Sequence, residues 1–229
     1  MIIEKFNYKS INRTSVDGKR HYCLPDGTKV PSVTTILEAT KSDEKRQILA
    51  DWRRRVGAAQ AQQISTEASG RGTRMHKWLE TYVKEGEMGL PGTNPFSVQS
   101  HAMANIIVFE GLANNVSEFW GVEVPVYYSG LYAGTTDCIG VWRDQPAILD
   151  FKQTNKPKKK EWIEDYFLQL AAYALAHNNT YQTDIKTGVI LMCSASNPLT
   201  YQEFVIQEDE FENYTDLWLS RLEQYYMMN

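Results

Sequence analysis

Near residue 115 the hydrophobic pattern changes period. Before it, apolar residues recur three and four positions apart, the spacing of amphipathic helices. After it come runs of strand length rich in β-branched and aromatic residues, broken by a single helical stretch. The expected order is α-rich, then β-β-β-α-β-β, then α. Such a chain packs as an α/β fold: a mixed central β-sheet flanked by helices, with a helical N-terminal region. The 229 residues are expected to form one domain: residues 1–115 mainly helical after a short hairpin, and residues 116–229 the αβ core.

Local signals fill in the order. Asp17-Gly18 and Asp26-Gly27 are hairpin-type turns. Pro31-Ser32 opens a helix with Val33, Ile36 and Leu37 on one face. A long helix is expected over 43–69, capped by Asp43, broken by Gly70-Arg-Gly-Thr73, and restarted with Thr73 as cap. In the restarted helix Met75, Leu79, Tyr82 and Val83 form the apolar face; His76 and Glu80, four apart, share another. Residues 86–95 read as a loop and 97–114 as a helix. FWGVEVPVYY, LYAGTTDCIGVW and PAILDFKQT are strand candidates, with Gly121 and Pro125 marking the first as bulged or at an edge. A strong helix runs from Lys158 to Asn178, TGVILMCS and LTYQEFVI are further strands, and a helix closes the chain.

Composition excludes several classes. No apolar run is long enough to span a bilayer, and the charged N-terminus lacks a signal peptide's apolar centre. The three widely spaced cysteines suggest neither a disulfide framework nor a zinc site, which fits a reducing interior. A net charge of −4 argues against a protein that coats nucleic acid. Positive charge is nevertheless clustered, at Arg53 to Arg55, at Arg71, Arg74 and Lys77, and at Lys156 to Lys160, so a local basic channel is compatible with the total. With no G-x-x-x-x-G-K-[ST] loop the chain carries no P-loop ATPase of its own.

Chemistry concentrates in Gly134-Thr-Thr-Asp137 and Asp150-Phe-Lys152. On a strand, residues two apart point to one face, so Asp150 and Lys152 converge, and the neighbouring strand brings Asp137. An isolated D-x-K pair is usually a surface ion pair worth about 0–1 kcal/mol. Here Asp150 directly follows the apolar run AIL, where an acid without a partner or metal is costly. Two carboxylates are hard oxygen ligands for Mg²⁺ or Mn²⁺. A lysine beside them can orient or deprotonate a water, or stabilise charge on a phosphate.

Those motifs resemble the PD-(D/E)XK nucleases, in particular the RecB-like exonuclease branch with its mitochondrial and phage members. GTTDCIGVW with ILDFKQTNK resembles the metal-ligand and catalytic-lysine motif. FLQLAAYALA resembles the downstream Q-x-x-x-Y helix, and RGTRMHKWLE the upstream helix that donates a histidine. VPSVTTILEAT and LADWRRRVG are similar to the N-terminal portion of the mitochondrial and phage group. The resemblance spans residues 22–178, and Thr136 stands before Asp137 where the motif's name has proline.

What the resemblance implies is a restriction-endonuclease-like core and a metal-dependent DNA exonuclease. His76, Asp137, Asp150 and the carbonyl of Phe151 would be metal ligands, Mg²⁺ or Mn²⁺ the cofactor, and Lys152 the catalytic lysine. Gln169 and Tyr173 would pack near the site and contact DNA. Arg71, Arg74, Lys156, Lys158 and Lys159, with Lys160 beside them, are candidates for the phosphate backbone; Glu80 and Glu123 could support the metals. The substrate would be DNA, single-stranded or with a free end, and Trp52, Trp78, Trp120 and Trp162 are available for base stacking. The setting would be intracellular and soluble, a bacterial cytoplasm if phage-encoded, with a replication or recombination partner protein. Three alternatives stay open: a structure-specific endonuclease on the same core, a partner-dependent nuclease, and a DNA-binding protein without catalysis.

Overall fold

The computed structural model describes residues 2–228. Two sheets organise it. The smaller is antiparallel, β1 (Asn12–Val16), β2 (Lys19–Cys23) and β3 (Lys29–Pro31). Asp17 and Gly18 both take positive φ in the two-residue turn between β1 and β2, which suits the right-handed twist of its strands. Ser32 then caps α1 (Val33–Ala39) by accepting from the Thr35 N–H.

Helix α2 (Asp43–Val56) is capped by Ser42, one residue before the expected Asp43. It ends at Gly57, whose φ of 86° a residue with a Cβ would resist. The long helix α3 (Ala58–Glu85) then runs without interruption through Gly70-Arg-Gly-Thr73. The expected break is therefore misplaced: the chain turns at Gly57, and Gly70 and Gly72 are helical. The role of Gly72 is spatial. A Cβ on Gly72 would lie 3.3 Å from Cγ of Gln153, so the missing side chain lets α3 lie close against the main sheet.

After a loop, Asn94 caps α4 (Pro95–Ile106), which continues as one π-helical turn over Ile107–Leu112. The main sheet follows, with order β4 (Val116–Tyr128), β5 (Tyr132–Trp142), β6 (Gln145–Thr154), β7 (Thr187–Ser194), β8 (Thr200–Ile206). Only β6 and β7 pair in parallel, because α5 (Glu164–Tyr181) crosses between them; the sheet is mixed, as expected. Arg143 and Asp144, both at positive φ, make the tight turn from β5 to β6. Strand β4 is an edge, and its register slips around Gly121, so Pro125 costs no central hydrogen bond.

Both faces of the sheet are covered, which accounts for the continuously apolar β7. Ile139, Ile148, Ile190 and Met192 pack with α1, α5 and the final helix α6 (Glu208–Met228). Cys138, Leu149, Phe151 and Leu191 pack with α3 and α4. Tyr22 and Val30 of the small sheet, with Leu24 just past β2, pack on Ala133 at the start of β5, which sets the hairpin beside the main sheet. Among the described residues no helix is long and apolar enough to cross a membrane. All three cysteines are free thiols, Cys138 and Cys193 buried.

Candidate active site

The β5–β6 ladder ends at the pair Cys138–Leu149. The next residue outward on each strand is an acid, Asp137 on β5 and Asp150 on β6. They sit where the strands part: β5 stays with β4, and β6 continues along β7. Asp150 is thus in the middle of its strand but at the end of its pairing with β5. A fork in a sheet is a natural place for polar chemistry, since backbone groups there have left the ladder.

One of those groups is used at once. The Phe151 N–H donates to Oδ2 of Asp137 at 2.7 Å. The other carboxylate oxygen, Oδ1, lies 3.5 Å from Nδ1 of His76, which α3 carries over the fork. Glu123 reaches the same histidine from β4, its Oε1 3.9 Å from Nδ1. Glu123 has a φ of 52°, a left-handed conformation uncommon outside glycine, just past the slip at Gly121. Strain of that kind is often stored at functional sites.

Asp150 faces the other way from Phe151. It is almost fully buried, and neither oxygen receives a well-directed hydrogen bond; the Lys152 ammonium lies against Oδ2. Lys152 is 3.4 Å from Oε1 of Gln169 and lies over the Tyr166 ring. Gln169 in turn donates from Nε2 to the Tyr173 hydroxyl at 2.9 Å. The buried Tyr173 packs over Gly134, where any Cβ would collide with its ring.

Burial and charge act in opposite directions here. Burial pushes Asp150 up, and Asp137 adds to that while Lys152 opposes it, leaving it at about 6. Asp137 is also buried, but His76, Lys152 and the Phe151 N–H outweigh burial and hold it below the ordinary carboxylate range. For His76, burial opposes the charge, yet Asp137 and Glu123 lift it to about 10. For Lys152, burial is likewise outweighed, by Asp150 and Asp137, and the ammonium is held above its ordinary value. The cluster is an anionic pocket that binds its own cations tightly.

The donors suit a hard divalent ion. One ligand atom each from His76, Glu123 and Asp137 lie within 4.8 Å of one another, and Asp150 offers buried oxygens with no well-directed donor nearby. Glu123, expected in a supporting role, stands in this group; Asp150, expected as a ligand, is turned toward Lys152. The sequence signal for Glu123 was slight, an acid inside the apolar run VEVPV.

The remaining sequence candidates separate by position. Gln169 and Tyr173 line the cleft themselves, and Gln169 also meets Lys152. Glu80 is held by Lys77 and Lys84 on its own helix face. Arg71 is mostly buried and ties α3 to β6 through Gln153 (2.8 Å) and Asn155. Arg74 donates to the Phe96 carbonyl and Ser100, and stacks on Phe96. Lys156 and Lys159 are exposed; Lys159 lies over Trp162, and the backbone of Lys158 is held by Gln202. Of the tryptophans, Trp120 is core and Trp162 is 60% exposed. The cleft, of about 230 Å³, is also lined by Arg13 and Arg20 from the β1–β2 hairpin, which no sequence pattern flagged.

The chain is 28% identical over 240 residues to Mitochondrial genome maintenance exonuclease 1 of Xenopus tropicalis, covering 97% of this chain. It is 28% identical to the Mus musculus protein of that name and 25% to the Homo sapiens one, each over 86% of this chain. The chain is similar in sequence to the mitochondrial genome maintenance exonucleases over most of its length. The likeness to PD-(D/E)XK exonucleases drawn from its motifs is borne out. The chain spans 64%, 59% and 58% of those exonucleases' own lengths. No family model matches it. A solved Eubacterium rectale structure named as an exonuclease covers 67% of this chain and 64% of its own at 12% identity and a TM-score of 0.48, a level too low to carry an argument.

Proposed function

We propose that the protein is a metal-dependent DNA exonuclease that hydrolyses phosphodiester bonds and prefers single-stranded DNA. The observation that carries this is the convergence of His76, Glu123 and Asp137, with Asp150 and Lys152, at the fork of β5 and β6. Relatives named as exonucleases support the activity. His76, Glu123 and Asp137 would hold Mg²⁺ or Mn²⁺, with Asp150 beside them. The bound ion would lower the pKa of a water and offset phosphate charge.

The protein groups supply the rest. Asp137, fixed by the Phe151 N–H, keeps its charge toward the cleft. Lys152 holds a proton between Asp150 and Gln169, where it can donate to a phosphate oxygen or to the departing oxygen. Gln169 and Tyr173 fix the lysine's position. Lys156 and Lys159 are the exposed cations best placed by sequence to follow the strand.

The test is digestion of end-labelled linear single- and double-stranded DNA, and of circular single strands, with Mg²⁺ or Mn²⁺. Wild type should shorten linear DNA from an end and leave circles intact, and Asp150→Asn and Lys152→Met should be inert. Cleavage of circles would instead favour an endonuclease. Cleavage that survives both substitutions would overturn the site.

A further inference from the structure

Two cavities meet at the hairpin. One is the cleft, to which the main sheet and α3 contribute His76, Glu123 and Asp137, and β1 and β2 contribute Arg13 and Arg20. The other, of about 460 Å³, extends from Arg20 and Thr34 to Lys19 and Arg46 beside α1. Arg20 and Thr34 line both, so the two adjoin as one trough leading away from Glu123 and Asp137; the acid in its outer part, Glu38, is paired with Lys41.

The hairpin register places both arginines on one face. Arg13 is opposite Tyr22, and Arg20 is two residues from Tyr22, so all three point the same way. Tyr22 is buried and its hydroxyl lies 3.2 Å from the Thr135 hydroxyl on β5, which turns that face toward the fork. Arg13, Lys19 and Arg20 are exposed, and among the described residues no acid pairs with any of them. Arg46, by contrast, is spent on the carbonyls of Glu38, Ala39 and Lys41 at the end of α1.

Electrostatics says what those free cations would do. A phosphate entering a cleft walled by Glu123 and Asp137 meets like charge. Guanidinium groups opposite offset that repulsion, and their planar fork matches two phosphate oxygens at once. We propose that Arg13 and Arg20 hold the phosphodiester backbone on nucleotides flanking the cleavage point, and that the trough past Arg20 carries the strand between the hairpin and α1. This rests on the nuclease reading for its substrate, but binding can be measured without cleavage.

The experiment is fluorescence anisotropy of a labelled oligothymidylate across a salt series, with EDTA so that nothing is cut. Wild type, R13Q/R20Q, R13K/R20K and K186Q are compared, each shown folded by thermal melting. R13Q/R20Q should weaken binding about tenfold or more and flatten the log–log salt slope by about 1.4, that is about 0.7 for each lost phosphate contact. R13K/R20K should keep the slope, and K186Q, remote from the trough, should match wild type. Unchanged affinity and slope in R13Q/R20Q overturn the proposal. If that variant loses binding while wild type, in the separate digestion with Mg²⁺ or Mn²⁺, cuts no DNA, the nuclease reading fails and the strand-holding role stands.

Discussion

The Phe151 N–H donates to Oδ2 of Asp137 across the fork of β5 and β6, at 2.7 Å. This bond links the strands one step beyond their last ladder pair. It leaves Oδ1 of Asp137 toward His76. Asp137 thus has a structural and a chemical duty that substitution can separate. Asp137→Asn keeps an acceptor and should stay within about 1 kcal/mol of wild type, whereas Asp137→Ala should cost about 1–3 kcal/mol. Both should lower Mn²⁺ affinity by more than about tenfold in calorimetry. Equal metal heats in Asp137→Asn and wild type would remove Asp137 from the ligand set.

Asp150 and Lys152 form a buried pair, so removing one partner leaves a charge stranded. Lys152→Met alone should cost about 3–5 kcal/mol in urea unfolding. Asp150→Asn with Lys152→Met should recover most of that loss, yet remain without cleavage. A double variant as unstable as the single one would show that packing, not charge, sets the cost.

Gly134 lies under the Tyr173 ring, and a methyl there forces the ring aside. Gly134→Ala should cost about 1–3 kcal/mol and disturb Gln169, which donates to Tyr173 and sits beside Lys152. Gly72→Ala, whose nearest contact with Gln153 is looser at 3.3 Å, should cost less. The reverse order in thermal melts would contradict this packing.

Arg71 tests structure against substrate binding. Its bonds to Gln153 and Asn155 hold α3 against β6. Arg71→Ala should lose about 1–3 kcal/mol while leaving the salt dependence of DNA binding unchanged. A flattened salt slope without loss of stability would return Arg71 to the phosphate-binding set.

His177 should set part of the acid limit of stability. It is fully buried among Phe6, Tyr8 and Tyr181, hydrogen-bonded to Tyr8 and Thr183, and burial lowers it to about 4. An unfolded histidine titrates near 6.5. Between those values the unfolded chain binds the extra proton, so stability is intact above about 6.5 and falls as pH drops toward 4, by about 3 kcal/mol in all. His177→Gln should flatten that slope in urea titrations at several pH values.

Much of this protein follows from local pattern. The turn at Asp17-Gly18, the Ser32 cap, the edge character of the strand bearing Gly121 and Pro125, and the shared face of Asp150 and Lys152 each need only neighbouring residues and known dihedral preferences. So does the alignment of Gln169 with Tyr173, one helical turn apart. What the sequence could not decide depends on residues brought together from afar. The helix expected to break at Gly70 continues, and its Gly72 serves an approach to Gln153, eighty-odd positions on. Glu123, at a φ of 52°, enters the histidine's surroundings only through a bulged strand, and Arg71 turns inward because Gln153 on β6 and Asn155 just past it receive it. The hairpin arginines face the acids only because Tyr22 docks on β5. Periodicity reports which face of an element is buried; the parting of two strands, and what crosses it, is set by tertiary contacts that have no period in the chain.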